Sequence, residues 1–367
     1  MRVKKIKVLV SAGGTGGHII PAVSVCNELI KRDIDVYYIG NKNSMEADLI
    51  CKVKGIKEFY GINVQKLYRS YTIKHFLFPF KLLSSILSCI NYIKIIKPDA
   101  FIGFGGFVSG APAIASYLSN VSVYLQEQNC NPGITNKITG FFAKKVFLAY
   151  KESFKFFKKT KCIYSGNPVN ISHSLEESFD YEKYNLSYQN KKLLVLGGSQ
   201  GSLFINNLIL ENMDYFINKN IDIIWQTGKN HLSMVKQELI KLGVNRGVFA
   251  FDFSSELNKF YHNSDFVISR GGALSLAEVE IYRLPAFVIP LPSAAVNEQY
   301  YNALSMEKRN LGVLFEQKDK QSFQDRFDQF LGKCKGMYPN KKVEDVIHLK
   351  AAKIIADELI SDMSGRI

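Results

Sequence analysis

Apolar residues along this chain gather in short unbroken runs. Each run is followed by a glycine-rich or polar loop, and then by a stretch in which apolar positions recur at helical spacing. In the first half the runs are Lys5–Val10, Val36–Ile39, Ala100–Ile102 and Val121–Leu125, and the first leads through glycines into a helical pattern from Ile20 to Lys31. Short, fully apolar runs are the mark of strands buried on both faces. Their alternation with helical stretches predicts parallel sheets covered by helices, an α/β fold. The pattern then restarts. Lys192–Leu196 runs into Gly197-Gly198-Ser199-Gln200-Gly201-Ser202, a helix follows from Leu203, and Ile221–Trp225, Val248–Phe251, Phe266–Ser269 and Ala286–Ile289 supply further strands. Two halves of this kind predict two domains, 1–166 and 167–345, divided near Gly166-Asn167-Pro168. A polar linker-like stretch, Ser172–Lys191, follows that division, and a last helix, Glu344–Met363, lies beyond the second half.

Composition changes this picture in two places. The 367 residues carry a formal net charge of +14, which calls for an anionic partner: nucleic acid, an acidic membrane or a phosphorylated substrate. The six cysteines show no C-x-x-C pair and no metal-ligand spacing with histidine, and they read as buried free thiols. The apolar stretch Phe76–Ile96 is interrupted by Pro79, Lys81, Asn91 and Lys94, so it is expected not to span a membrane.

The chemistry lies in the loops. In Gly13-Gly14-Thr15-Gly16-Gly17-His18 the glycines permit a tight turn, and the helix that follows offers N–H groups and a positive dipole end to an anion. A dinucleotide fingerprint would need an acidic residue at the end of the second strand, where Gly40-Asn41-Lys42 stands instead. His18 sits where the loop enters the helix. It suits a general base, and a structural, helix-capping histidine is the alternative. The loop Gly197–Gly201 is either a phosphate cradle that uses Ser199 or a structural turn. Ser269-Arg270-Gly271-Gly272-Ala273-Leu274-Ser275-Leu276-Ala277-Glu278 opens a helix with small residues and a cation, which suits a diphosphate at a helix N-terminus. Glu278, two turns on, can accept ribose hydroxyls or be a solvated helix residue. Gln299 and Asn302 can bond sugar hydroxyls. Asp33-Ile34-Asp35 precedes a strand, so it is read as a turn, and no bound metal or cofactor is expected.

Together these blocks resemble the MurG family of glycosyltransferases. The matching segments run in order: Gly13–His18, Met45-Glu46-Ala47-Asp48-Leu49, Gly105-Gly106-Phe107-Val108-Ser109-Gly110, Glu127-Gln128-Asn129 with Thr135-Asn136-Lys137, Gly166-Asn167-Pro168-Val169, Gly197–Gly201, Ser269–Glu278 and Gln299-Tyr300-Tyr301-Asn302-Ala303. The resemblance implies two Rossmann-like domains facing a cleft (the GT-B architecture). It implies an inverting transfer of N-acetylglucosamine from UDP-N-acetylglucosamine to the 4-hydroxyl of undecaprenyl-diphosphate N-acetylmuramyl-pentapeptide. It also implies His18 as base. Donor contacts are expected from Thr15, Gly16, Gly17 and Asn129 in the first domain. In the second they are expected from Ser199, the backbone near Ser254, Arg270, the run Ala273, Leu274, Ser275, Leu276, Ala277 and Glu278, and Gln299.

The chain departs from the family pattern at Gln126 (usually His), Asn170 (often Arg), Gly271-Gly272 (for Ser-Gly) and Glu298 (for His or Gln). Since the acceptor is lipid-linked, docking on an anionic membrane is expected through Phe76, Phe78 and Phe80 with Lys74 and Lys81, and a second aromatic and lysine run spans Phe141–Lys161. The expected place is peripheral, on the cytoplasmic face of the inner membrane, with no nucleic-acid partner. The alternatives on a similar scaffold are a UDP-sugar:diacylglycerol glycosyltransferase and a UDP-sugar 2-epimerase.

Overall fold

The computed structural model describes residues 5–64, 78–169, 179–198, 200–254, 256–292, 297–338 and 346–364. Of the residues expected to act, Lys74, Phe76, Asn170 and Ser199 lie outside these ranges. The chain divides into two compact units, Met1–Asn170 with Ile347–Ile367, and Ile171–Val346.

The first unit carries a seven-stranded sheet, wholly parallel, of β1 (Lys7–Ser11), β2 (Asp35–Asn41), β3 (Ile56–Ile62), β4 (Ala100–Gly103), β5 (Ser122–Glu127), β6 (Lys145–Leu148) and β7 (Cys162–Tyr164), in the order β3-β2-β1-β4-β5-β6-β7. Successive side chains of a strand point to opposite faces, and the two cores show it. Val8 and Val10 pack with α1 (Gly16–Lys31) on one face. Leu9 packs on the other with α3 (Phe78–Ile96) and α4 (Gly110–Leu118). A short α2 (Met45–Ile50) follows β2, and α5 (Ile134–Thr139) follows β5.

The second unit repeats the plan with β8 (Lys191–Leu196), β9 (Ile221–Gln226), β10 (Val248–Phe251), β11 (Phe266–Ser269), β12 (Ala286–Val288) and β13 (Gly312–Leu314), ordered β10-β9-β8-β11-β12-β13 and again parallel. Its helices are α6 (Leu203–Glu211), α7 (Met213–Asn218), α8 (Leu232–Lys241), α9 (Leu257–His262), α10 (Ala273–Ile281), α11 (Glu298–Lys308) and α12 (Phe323–Lys333). Phe216, Phe287, Phe323, Phe327 and Phe330 interlock in its core, most of them edge-to-face.

The C-terminal helix α13 (Ile347–Ser364) belongs to the first unit. Ile355, Ala356, Leu359 and Met363 complete the core under α1. Arg32 pairs with Asp357, Lys145 with Glu358, and Lys144 and Lys145 with Asp362, whose Oδ2 also accepts from Tyr124 Oη at 2.9 Å. Burial pushes Asp362 up, but the hydrogen bonds from the two lysines and the tyrosine outweigh it and hold its pKa below the ordinary aspartate value.

The aromatic and lysine run Phe141–Lys161 divides between core and surface. Val146, Phe147 and Leu148 are buried in β6, Lys144 and Lys145 are spent on α13, and Phe141 and Phe156 are the exposed aromatics. The thiols also differ: Cys26, Cys89 and Cys130 are buried, whereas Cys51 is exposed.

Candidate functional site

In a sheet ordered 3-2-1-4-5-6 the loops leaving the first and fourth strands diverge, and the crevice at their carboxyl ends is where such folds bind ligands. Both units have this switch point, and both place their glycine loops at it.

In the first unit β1 exits through Ala12–Thr15, and α1 begins at Gly16, a full turn before the helix expected from Ile20. Pro21 is what hides the early start. Proline lacks an N–H, so at Pro21, inside the helix, the bond back to the Gly17 carbonyl is not made. His18 therefore sits in the helix's first turn rather than in the loop, and is half-buried. The β4 exit passes against its ring. Gly106 takes φ +75°, and a Cβ there would stand 2.2 Å from Gly13 O and 3.3 Å from His18 Cδ2, so only glycine lets the two loops meet. From the β5 exit, Gln128 reaches the ring, with Oε1 2.9 Å from His18 Nδ1.

The same β5 exit is tied down by Glu127, which is buried. Its carboxylate accepts from Asn129 N at 2.9 Å, Gly133 N at 3.1 Å and Asn136 Nδ2 at 2.9 Å. Burial raises its pKa above the ordinary value, and these hydrogen bonds act against that rise. Asn129 is half-buried beside this anchor, while Thr15 and Gly17 are exposed and Gly16 is half-buried.

In the second unit β8 exits through Gly197–Gly201 into α6, capped by Ser202, whose hydroxyl accepts from Ile205 N at 3.2 Å. Gly201 takes φ +77°, and a Cβ there would strike Thr227 O at 2.2 Å. Arg270 follows β11 and is buried. Its Nη1 donates to Ile289 O at 3.1 Å and Pro290 O at 3.3 Å, and its Nη2 donates to Ser202 Oγ. With the Gln317 amide turned so that oxygen faces the guanidinium, it accepts from Nη1 at 2.6 Å and Nη2 at 3.0 Å. Among the described residues no carboxylate pairs with Arg270, and burial lowers its pKa to about 10. Burial disfavours the charged form of this guanidinium, and its neutral acceptors leave the charge unbalanced.

Helix α10 begins three residues later. Helices leave their first-turn N–H groups outside their own ladder, and here that turn is Ala273–Ser275. The side chains of Leu276 and Ala277 in the same run are buried, and the Leu276 N–H donates to Gly272 O at 3.0 Å. Glu278 is half-buried and accepts from Tyr261 Oη at 2.9 Å. Burial pushes its pKa up to about 7 against that hydrogen bond, so it is not the solvated helix carboxylate that spacing alone allows.

Gln299 Oε1 accepts from Leu291 N at 2.9 Å. Asn302 donates to Gly271 O at 3.0 Å, which binds the loop after β11 to α11. Beside them opens a cavity of about 500 Å³ lined by Pro290, Leu291, Asn297, Tyr300, Glu316 and Gln317. Ser254 is half-buried at the β10 exit, where its hydroxyl accepts from Glu256 N at 3.0 Å. Ser202, Gln317 and Gln128 carry this geometry. Ser202 and Gln128 stand inside segments the sequence marks, but their partners could not be read there, and no local pattern marks Gln317, since each acts on a residue far away in the chain.

Family comparison agrees with the two-unit plan. The glycosyltransferase family 28 N-terminal domain matches residues 8–148 and its C-terminal domain matches residues 192–347. The UDP-N-acetylglucosamine--N-acetylmuramyl-(pentapeptide) pyrophosphoryl-undecaprenol N-acetylglucosamine transferase of Flavobacterium psychrophilum is 34% identical over 97% of this chain and 98% of its own. The chain belongs to the MurG family of glycosyltransferases. The transferase of the same name from Parabacteroides distasonis is 33% identical over 86% of each chain. Among solved structures, MurG of Acinetobacter baumannii superposes with a TM-score of 0.77 at 23% identity, covering 97% of this chain and 99% of that one. The UDP-GlcNAc 2-epimerase of Neisseria meningitidis superposes at 0.66 and 16% identity, covering 97% and 100%. These structural likenesses speak to the fold: two Rossmann-like parallel-sheet units of GT-B type.

Asp33 and Asp35 stand at the entry to β2, with Asp33 at φ +61° and both paired to Lys5. On α3, Phe80, Lys81, Leu83 and Leu87 are exposed and Phe78 is half-buried, while Ser85, Cys89, Ile93 and Ile96 face the core. This helix is also long and apolar enough to cross a membrane by length and composition, at mean hydropathy 1.3.

Proposed function

We propose that this chain transfers N-acetylglucosamine from UDP-N-acetylglucosamine to the 4-hydroxyl of undecaprenyl-diphosphate N-acetylmuramyl-pentapeptide, with inversion to a β-1,4 linkage, making the lipid-linked disaccharide precursor of peptidoglycan. The observation that carries the donor half is Arg270, a buried cation balanced by no carboxylate among the described residues, set just before the first turn of α10. UDP is the leaving group and gains charge as the glycosidic bond breaks. A fixed guanidinium and preorganised N–H groups stabilise that charge with little reorganisation. Glu278 takes the ribose hydroxyls, the backbone near Ser254 takes the uracil, and Gln299 takes sugar hydroxyls. Thr15, Gly16, Gly17 and Asn129 contribute from the first unit. His18 removes the proton of the attacking hydroxyl. Inversion needs a single displacement, so no enzyme nucleophile is required.

The acceptor's polyprenyl tail stays in a bilayer, so the enzyme works as a peripheral protein on the cytoplasmic face of the membrane. The exposed stripe Phe80, Leu83 and Leu87 on α3, with Lys81 beside it, is the docking surface. Transfer of labelled N-acetylglucosamine from UDP to a lipid-linked muramyl-pentapeptide analogue tests the reaction, and a folded chain that binds UDP but labels no such acceptor would refute it. Flotation with anionic liposomes tests the surface. A Phe80→Glu/Leu83→Glu variant is expected to stay in the soluble fraction, and undiminished flotation excludes this stripe.

A further inference from the structure

The His18 ring meets a neutral amide, that of Gln128, and this amide is one link in a closed hydrogen-bond ring. Gln128 Nε2 donates to Phe104 O at 2.9 Å and to Gln126 Oε1. Gln126 Nε2 donates to Asn167 Oδ1 at 3.2 Å, and Asn167 Nδ2 donates back to Gln128 O at 3.1 Å. Asn167 N in turn donates to His348 Nδ1 at 2.8 Å, so the ring is moored to the start of α13. Gln126, Gln128, Asn167 and His348 are all buried.

Amide orientation is usually an assignment, but here both ends of the chain of amides are pinned by backbone carbonyls, which only accept. The Phe104 carbonyl requires the Gln128 nitrogen on its side. Gln128 must then present oxygen to His18, and a ring nitrogen facing an acceptor must carry the proton. Each remaining amide follows in turn, and the Gln128 carbonyl closes the ring without conflict.

We propose that Gln128 is a positioning residue that holds His18 in the Nδ1–H tautomer, and that Gln126 and Asn167 lock Gln128 in the orientation this requires. The inference rests on His18 being the base proposed above. With Nδ1 committed as a donor, proton-accepting capacity resides at Nε2, on the opposite edge of the ring from the buried amides. A base that had to change tautomer before each turnover would be lost for part of the time, and a wrong tautomer is known to cost other histidine-dependent enzymes several orders of magnitude. The glycines complete the arrangement: a Cβ at Gly105 would lie 3.4 Å from His18 Nδ1 and 3.2 Å from Asn136 Nδ2, so the ring is packed as well as bonded.

The test uses the full chain with ¹⁵N-labelled imidazoles, the His18 signals being assigned by their loss in His18→Ala. The expected spectrum has His18 protonated at Nδ1 and unprotonated at Nε2, and Gln128→Met is expected to give a mixture of tautomers. In the transfer assay Gln126→Leu is expected to lower kcat by about 10–100-fold with KM for UDP-N-acetylglucosamine unchanged. Gln126→His, which keeps a ring nitrogen able to accept from Gln128, is expected to restore most of the rate. An Nε2–H tautomer in the unaltered chain overturns the proposal, as does wild-type kcat in Gln126→Leu and Gln128→Met together. A His18→Ala chain that turns over at the wild-type rate overturns the base assignment instead, and the tautomer, read by NMR, then stands or falls separately.

Discussion

The two units share a strand order, a glycine loop after the first strand and a second loop after the fourth, yet the charges they bury differ: the first buries a carboxylate, Glu127, met by amide donors, and the second a guanidinium, Arg270, met by neutral acceptors. In the first unit the polar groups behind His18 are neutral amides that satisfy one another. In the second, a buried guanidinium meets only neutral acceptors, with its pKa lowered to about 10, and the Glu278 carboxylate on the following helix is raised to about 7. On the function proposed above, the first site orients a proton acceptor and the second offers a diphosphate a cation already withdrawn from water.

That contrast can be broken most sharply at His18. His18→Ala is expected to reduce transfer by about 10²–10⁴-fold while UDP affinity, measured by calorimetry, stays as it was. A parallel loss of UDP binding would mean the first unit is not merely an orienting site. Next comes Arg270→Met. UDP binding should weaken by about 10–100-fold, whereas uridine, which has no phosphate, should bind as before. Equal losses for both ligands would show that the guanidinium is structural.

Glu278→Gln is expected to weaken UDP binding by about tenfold. In the unaltered chain affinity should rise with pH through about 7, as the carboxylate ionises, and then level off. The variant should show no such rise. Stability moves the other way. The folded chain keeps the Glu278 proton to about 7, against an ordinary value of 4.5. Between those values it binds more protons than the unfolded chain, so this group's contribution falls as pH rises through that window. Glu278→Gln should therefore gain about 1–3 kcal/mol near pH 8 and nothing below about pH 4. A melting temperature unchanged at both pH values would sink the idea that the second unit sacrifices stability for its ligand.

The smallest effect is expected at α13. Asp362→Asn weakens the ties to Lys144 and Lys145 and should cost at most about 1 kcal/mol, with transfer unaffected. Because these ties hold the Asp362 pKa low, their contribution is present above the ordinary aspartate value, 3.8, and is lost as pH falls below it.

The strand–loop–helix starts were legible because each is a local demand. A buried apolar run must end, turn tightly and enter a helix within about ten residues, and only glycine and small polar residues allow that turn. The loops at Gly13, Gly105, Gly197 and Gly271 could be read in this way. The elements that escaped sequence reading are those whose local pattern is ambiguous. The strand Ile56–Ile62 sits at a sheet edge and carries Lys57 and Glu58, and Lys145–Leu148 lies inside a lysine–phenylalanine run that mimics an amphipathic helix.

What the linear chain determined, then, is where the backbone must turn tightly between strand and helix and which residue types stand there. What tertiary structure alone decided is who holds those residues. Gln128 reaches His18 across 110 positions, Ser202 meets Arg270 across 68, and His348 receives Asn167 across 181. Side-chain amides and hydroxyls have no periodicity to betray such partners. Their roles exist only once parallel strands have brought the carboxyl ends of distant segments to one edge of a sheet.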